Sequence, residues 1–189
     1  TSFEQTLYML DLPRNDAKLL DTALMLMRET ASELSFDPQA VARERGVVLS
    51  ELRDGQGWSR TNLEDQLAFF YPAATYPKRL PIGIEKTLKT MQRPRFVDFY
   101  GKWYTPKRAT VVAVGDFKDV SLVKAEIEKN FADAKAAKGD SPDPSFGKII
   151  TGRGIMAKLH TEMEASAVDL SLEIVRPAKN KPDTAATRR

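Results

Sequence analysis

Apolar side chains recur every three to four residues over much of the chain, which is the spacing of amphipathic helices. The first such stretch follows Asn15-Asp16, an N-cap signal. The second opens at Asp37-Pro38, a cap residue followed by proline at the first helical position, and a Gly-rich break at 54–57 ends it. Further helices are predicted over about 59–70, 85–91, 94–104 and 119–131.

Four other segments favour strands, namely 1–10, 109–114, 155–161 and 168–175. Residues 109–114 (ATVVAV) are almost continuously apolar, as in a strand that is buried on both faces. Strands mixed with helices predict an α+β fold. Changes in composition then divide the chain into a first domain over 1–131, a linker over 132–148, strands that open another subdomain over 149–177, and a disordered tail over 178–189.

Composition excludes several classes of function. The chain has 189 residues and a formal net charge of +3, and its last twelve residues alone carry four basic and one acidic side chain. The remainder is neutral, so the sequence does not indicate a nucleic-acid partner. It has no cysteine and a single histidine, His160, which excludes thiolate chemistry and any site that needs two histidines from this chain. No apolar run is long enough for a transmembrane segment.

One segment of the second helix carries candidate chemistry. Glu44 and Glu51 are seven residues apart, so they point in nearly the same direction, and Val48 lies close to the line between them. An unpaired carboxylate is costly to bury, so such a pair needs a cation, hydrogen bonds or water. From the spacing alone, a solvated helix face with nearby arginines as partners is the simpler interpretation.

The order of several motifs along the chain gives evidence beyond the spacing of the two glutamates. TSFEQTLY, ARERGVVLSEL, RLPIG and FYGKWYTPKRATVVAVGDF follow one another from residue 1 to about residue 117, and HTEMEASAVDLSLEIVRP comes later. Together they resemble the downstream part of the catalytic domain of the pitrilysin/insulinase family of inverted zinc metallopeptidases, which includes mitochondrial processing peptidase. The resemblance implies a mixed or antiparallel sheet covered by helices, as in LuxS and processing-peptidase domains.

The resemblance also implies roles for individual residues. In the family, two histidines of an H-x-x-E-H helix and a glutamate on a later helix hold zinc, and Glu51 is similar in position to that third ligand. Glu44 is similar to the acidic residue that supports the site without binding the metal. Thr1, Ser2 and Phe3 resemble the end of an edge strand to which the substrate peptide adds. An ordinary strand is an equal alternative for these three residues, and His160 is interpreted as a structural or surface residue.

H-x-x-E-H is absent from the sequence, since in the family it lies upstream of the residue at which this chain starts. We therefore expect a fragment of a zinc metalloendopeptidase that contains no catalytic residue of its own and is inactive by itself. Its expected partners are a peptide or unfolded polypeptide and a second half-domain or paired subunit of the same fold. The alternatives are a non-catalytic, peptide-binding subunit that pairs with an active peptidase, and an α+β domain unrelated to peptidases. The sequence assigns no compartment.

Overall fold

Helices dominate the computed structural model, which describes residues 1–134, 141–177, 182 and 184–186. The helices in these ranges are α1 (Ala17–Ser32), α2 (Pro38–Asp54), α3 (Trp58–Phe70), α4 (Glu85–Thr90), α5 (Arg93–Trp103) and α6 (Val120–Phe131), with single 3₁₀ turns at Tyr76–Lys78 and Pro106–Arg108. The chain divides into one unit of residues 1–50 with 81–143 and another of residues 51–80 with 144–189. Among the described residues, no helix is long and apolar enough to cross a membrane.

The helix starts follow the local sequence signals. Asp16, Asp37 and Asp119 each accept a hydrogen bond through the side chain from a backbone N–H in the first turn of α1, α2 and α6, at 2.8–2.9 Å. Each bond satisfies one of the N–H groups that an α-helix leaves without an internal acceptor. The six predicted helices are therefore confirmed, with ends shifted by one or two residues.

The predicted α+β fold is wrong for the part of the chain that the structure describes. None of the segments 1–10, 109–114, 155–161 and 168–175 forms a strand there, and an isolated antiparallel bridge joins Ala74 to Gly147. A strand requires a ladder of hydrogen bonds to a neighbour, and an alternating pattern reports only a preference for one. The apolar side chains of these segments are left exposed, as Val114 (91%) and Leu170 (97%) show.

In the first unit, α1 packs against α6. Ala23 and Leu24 of α1 and Val123 of α6 are buried at this contact. An ion pair from Lys129 to Asp21 (3.2 Å) lies at the edge of the pair of helices. The domain boundaries predicted at the linker stay predictions, and 135–140, inside that linker, and most of the predicted disordered tail lie outside the described residues.

In the second unit, two loop segments pair beside α3. The N–H of Thr75 donates to the carbonyl of Phe146 (2.9 Å), and the N–H of Lys148 donates to the carbonyl of Ala73 (3.0 Å). Gly147 lies between these bonds with a φ of +80°. A Cβ at this position would lie 2.4 Å from the Ala73 carbonyl oxygen, so the close approach requires glycine.

Replacing Gly147 with alanine is expected to destabilise the second unit. The left-handed backbone alone costs about 1–3 kcal/mol for a residue with a Cβ, and the clash with Ala73 adds to it. Urea unfolding followed by circular dichroism measures the loss. Gly152→Ala is the matched control, because Gly152 has a φ of +68° but open space around its Cβ position. Equal losses in the two variants would contradict the prediction.

Candidate functional site

Helix α2 carries the two acidic residues that the sequence singled out. Glu44 and Glu51 lie seven residues apart on an uninterrupted helix, and both are exposed. Leu52, next to Glu51, is buried at 5% exposure, so the helix packs through a different side from the one that bears the carboxylates. The expected roles of Glu44 and Glu51 stay predictions, since an exposed pair is also what a solvated face would show.

An arginine fixes the middle of α2 against α4. The guanidinium of Arg45 donates to the carbonyls of Leu88 and Met91, the latter at 2.6 Å. These carbonyls belong to the C-terminal end of α4, where backbone acceptors have no helical partner and the helix dipole favours a cation. Arg45 is therefore directed to α4, although the sequence suggested it as a partner for the acidic residues.

A second arginine holds the turn that leads into α2. Arg93, the first residue of α5, donates from Nε to the carbonyl of Phe36 (2.5 Å) and from Nη2 to that of Ser35 (3.1 Å). Phe36 has a φ of +51°, a conformation that costs energy for any residue with a Cβ. Its ring also packs edge-on against Tyr100 at a centroid distance of 5.2 Å. These contacts together keep the strained turn in place.

The aromatic residues of α5 connect this region to α1 and to the start of the chain. The Tyr100 hydroxyl donates to the carbonyl of Thr30 (2.8 Å), and its ring stacks on Tyr104 at 4.6 Å. The hydroxyls of Tyr104 and Tyr8 lie 2.7 Å apart. Burial, and then the hydrogen bond with Tyr104, raises the pKa of the Tyr8 hydroxyl. The aromatic residues of the motif FYGKWYTP therefore serve to pack α5 against its neighbours.

Thr1, Ser2 and Phe3 do not form the expected strand. The N–H of Ser2 donates to the carbonyl of Gln5 (2.8 Å), so the segment begins in a turn, and its residues are exposed. The hydrogen bond of Tyr8 ties the same segment to α5. Their role in binding a peptide stays a prediction.

The structure gives His160 a defined environment that the sequence did not indicate. Its Nδ1 lies 2.9 Å from Asp65 Oδ2, and its Nε2 lies 3.4 Å from Glu162 Oε1. Asp65 belongs to α3, ninety-five positions away, so only the tertiary structure brings the groups together. In the described ranges, no group of three or more histidine and acidic side chains is arranged to hold a metal ion.

Comparisons with known proteins match most of the chain. The profile of the peptidase M16 inactive domain matches residues 90–187. A zinc protease PQQL-like protein of Arabidopsis thaliana is 30% identical over 146 residues, which are 77% of this chain and 15% of the relative. The probable zinc protease PqqL of Haemophilus influenzae is 35% identical over 124 residues, which are 66% of this chain and 13% of the relative.

A solved structure shows the same backbone arrangement. The first half of the periplasmic protease PqqL from Escherichia coli superposes with a TM-score of 0.66 at 26% identity, over 72% of this chain and 29% of that one. Because the profile covers more than half of the sequence, the chain belongs to the M16 peptidase family. This membership confirms the resemblance to the pitrilysin/insulinase family. The chain spans only 13–15% of the length of the two zinc proteases that it matches.

Arg45→Met is expected to lower the free energy of unfolding by about 1.5–3 kcal/mol, because two carbonyls at the end of α4 lose a charged donor. Chemical denaturation of the chain measures the change. Arg43→Met removes the same charge from an exposed position on the same helix and should cost much less. If the two variants lost equal stability, the contact with α4 would not be what holds α2.

Proposed function

We propose that this chain is part of a zinc-dependent endopeptidase of the M16 family and that Glu51 is the zinc ligand it contributes. The observation that carries the proposal is the position of Glu51 and Glu44 on one face of α2, exposed to solvent while Arg45 of the same helix is bound to α4. The names of the matched relatives, which are zinc proteases, support it.

The donor groups of this chain fit one ligand of a catalytic zinc site. Such a site has three protein ligands and leaves a fourth position for water. The single histidine, His160, lies between Asp65 and Glu162, so the imidazole ligands would come from another part of the whole protein. When bound, zinc would supply a water molecule of lowered pKa and would polarise the peptide carbonyl.

The residues of this chain would then hold the metal and orient the peptide substrate. Glu51 would donate a carboxylate oxygen from a helix that two arginines fix, and that rigidity matters because ligand geometry governs metal affinity. Glu44, one heptad earlier, would support the polar surroundings of Glu51 without touching the metal. Thr1, Ser2 and Phe3 would contact the backbone of the peptide substrate.

Two further parts of the proposal concern activity and partners. With a single ligand, the chain by itself would be inactive. A second half-domain or paired subunit of related fold would complete the enclosure around a peptide or unfolded polypeptide. The matched E. coli structure is the first half of PqqL, and this supports a protein that is built from two halves.

A second function is favoured by one specific observation, the match of residues 90–187 to the inactive domain of the family. The whole protein would then be a non-catalytic subunit that helps to bind the peptide and pairs with an active peptidase. Zinc content separates the two functions.

The deciding measurement is zinc per chain in the whole protein and in its Glu51→Gln variant. About one zinc is expected in the wild type and much less in the variant, because an amide oxygen is a weaker zinc ligand than a carboxylate. Hydrolysis of an unfolded polypeptide should fall with it. Glu173→Gln, an exposed glutamate outside the proposed site, is the control.

Zinc and activity unchanged in Glu51→Gln would overturn the role of Glu51. Zinc in neither protein would favour the non-catalytic subunit and would leave the family assignment intact.

A further inference from the structure

Residues 153–162, which we name the strap, run along one face of α3 in the second unit. Arg153 Nη1 donates to the carbonyl of Phe69 (2.7 Å) near the end of the helix. The Glu162 carboxylate accepts from Thr61 Oγ1 (2.9 Å) near its beginning. The strap therefore runs antiparallel to the helix, and its ends are held two turns apart.

The middle of the strap is held at Asp65. Lys158 Nζ lies 3.2 Å and His160 Nδ1 2.9 Å from the same oxygen of Asp65. Thr61, Asp65 and Phe69 are spaced four residues apart, so they form one stripe of α3. The contacts that dock the strap are therefore polar, while its apolar side chains Ile155 and Leu159 are 104% and 83% exposed.

The protonation state of His160 decides how many of these contacts are favourable. The neutral ring with a proton on Nδ1 donates to Asp65 and turns a lone pair on Nε2 toward Glu162. Nε2 is buried and, in the described part of the chain, lacks a hydrogen-bond partner. The protonated ring donates from both nitrogens, so each carboxylate then faces a donor and a positive charge.

We propose that protonation of His160 fastens the strap to α3 and that its deprotonation loosens it, which makes the strap a pH-sensitive element of the second unit. The charged groups that face the ring in the described residues are Asp65 from α3 and Lys158 and Glu162 from the strap. Histidine is the side chain that ordinarily changes charge between pH 5 and 8. The proposal is independent of the proposed peptidase activity.

Asp65 determines how the docking of the strap changes at low pH. The hydrogen bond from His160, and then that from Lys158, holds the pKa of this carboxyl below its usual range. A lowered pKa means that the contribution of Asp65 is present above the usual carboxyl range and disappears as the pH falls through the lowered value. The strap should thus dock best in mildly acidic solution, below the range in which histidine loses its proton.

A distance measurement between two spin labels tests the proposal. The chain contains no cysteine, so cysteines at Ala68 on α3 and Ile155 on the strap, both exposed, give two unique labelling sites. We expect one narrow distance distribution at about pH 6 and a decrease of about two- to five-fold in the ratio of docked to undocked strap at about pH 8.5, the range for a partly exposed ion pair. His160→Gln, which is neutral at both pH values, should show equal distributions at both.

Two further variants separate the role of the ring from other effects. Glu162→Gln keeps the histidine but removes the charge beside Nε2, so its response to pH should be smaller than that of the wild type. Glu164→Gln removes an exposed charge two residues further on and should respond like the wild type. An unchanged wild-type distribution between the two pH values, or a response that persists in His160→Gln, would overturn the proposal.

Discussion

Side chains that donate hydrogen bonds to backbone carbonyls hold the first unit together, because its apolar core is small. Among its described residues, the buried apolar ones are Ala23 and Leu24 in α1 and Val123 in α6. Beyond that contact, Arg45 and Arg93 donate hydrogen bonds to carbonyls at a helix end and in a strained turn, where the backbone of the described ranges supplies no donor. A hydrogen bond from a charged donor contributes more than one from a neutral donor, so these contacts add to a limited apolar core.

The same contacts decide where the candidate chemistry lies. α2 is held at its entry by Arg93 and at its middle by Arg45, and this leaves its acidic side exposed. An acidic pair on a rigid helix is suited to contribute a ligand to a metal site, whereas a pair on a mobile loop would lose ordering entropy on binding. Arg45, next to Glu44, therefore binds α4, although its position in the sequence suggested it as a partner for the acidic residues.

Local signals predicted the helices well and the strands badly, and the reason is physical. A helix closes its hydrogen bonds within four residues, so a cap such as Asp16 or Asp37 and an apolar stripe are sufficient to specify it. A strand closes its hydrogen bonds with a partner that can lie anywhere in the chain. The apolar run at 109–114 is the clearest case, since it remains outside any sheet among the described residues.

By itself, the sequence determined the six helices, the acidic pair on α2 and, through the order of its motifs, the family of the protein. Those properties depend on short spacings and on residue types that can be seen along the chain. Only the tertiary structure decided that Arg45 binds α4 and that His160 lies between Asp65 and Glu162. The contacts of Arg45 with α4 and of His160 with Asp65 join residues that are 43 to 95 positions apart, and their existence depends on how the backbone folds, which no local pattern encodes.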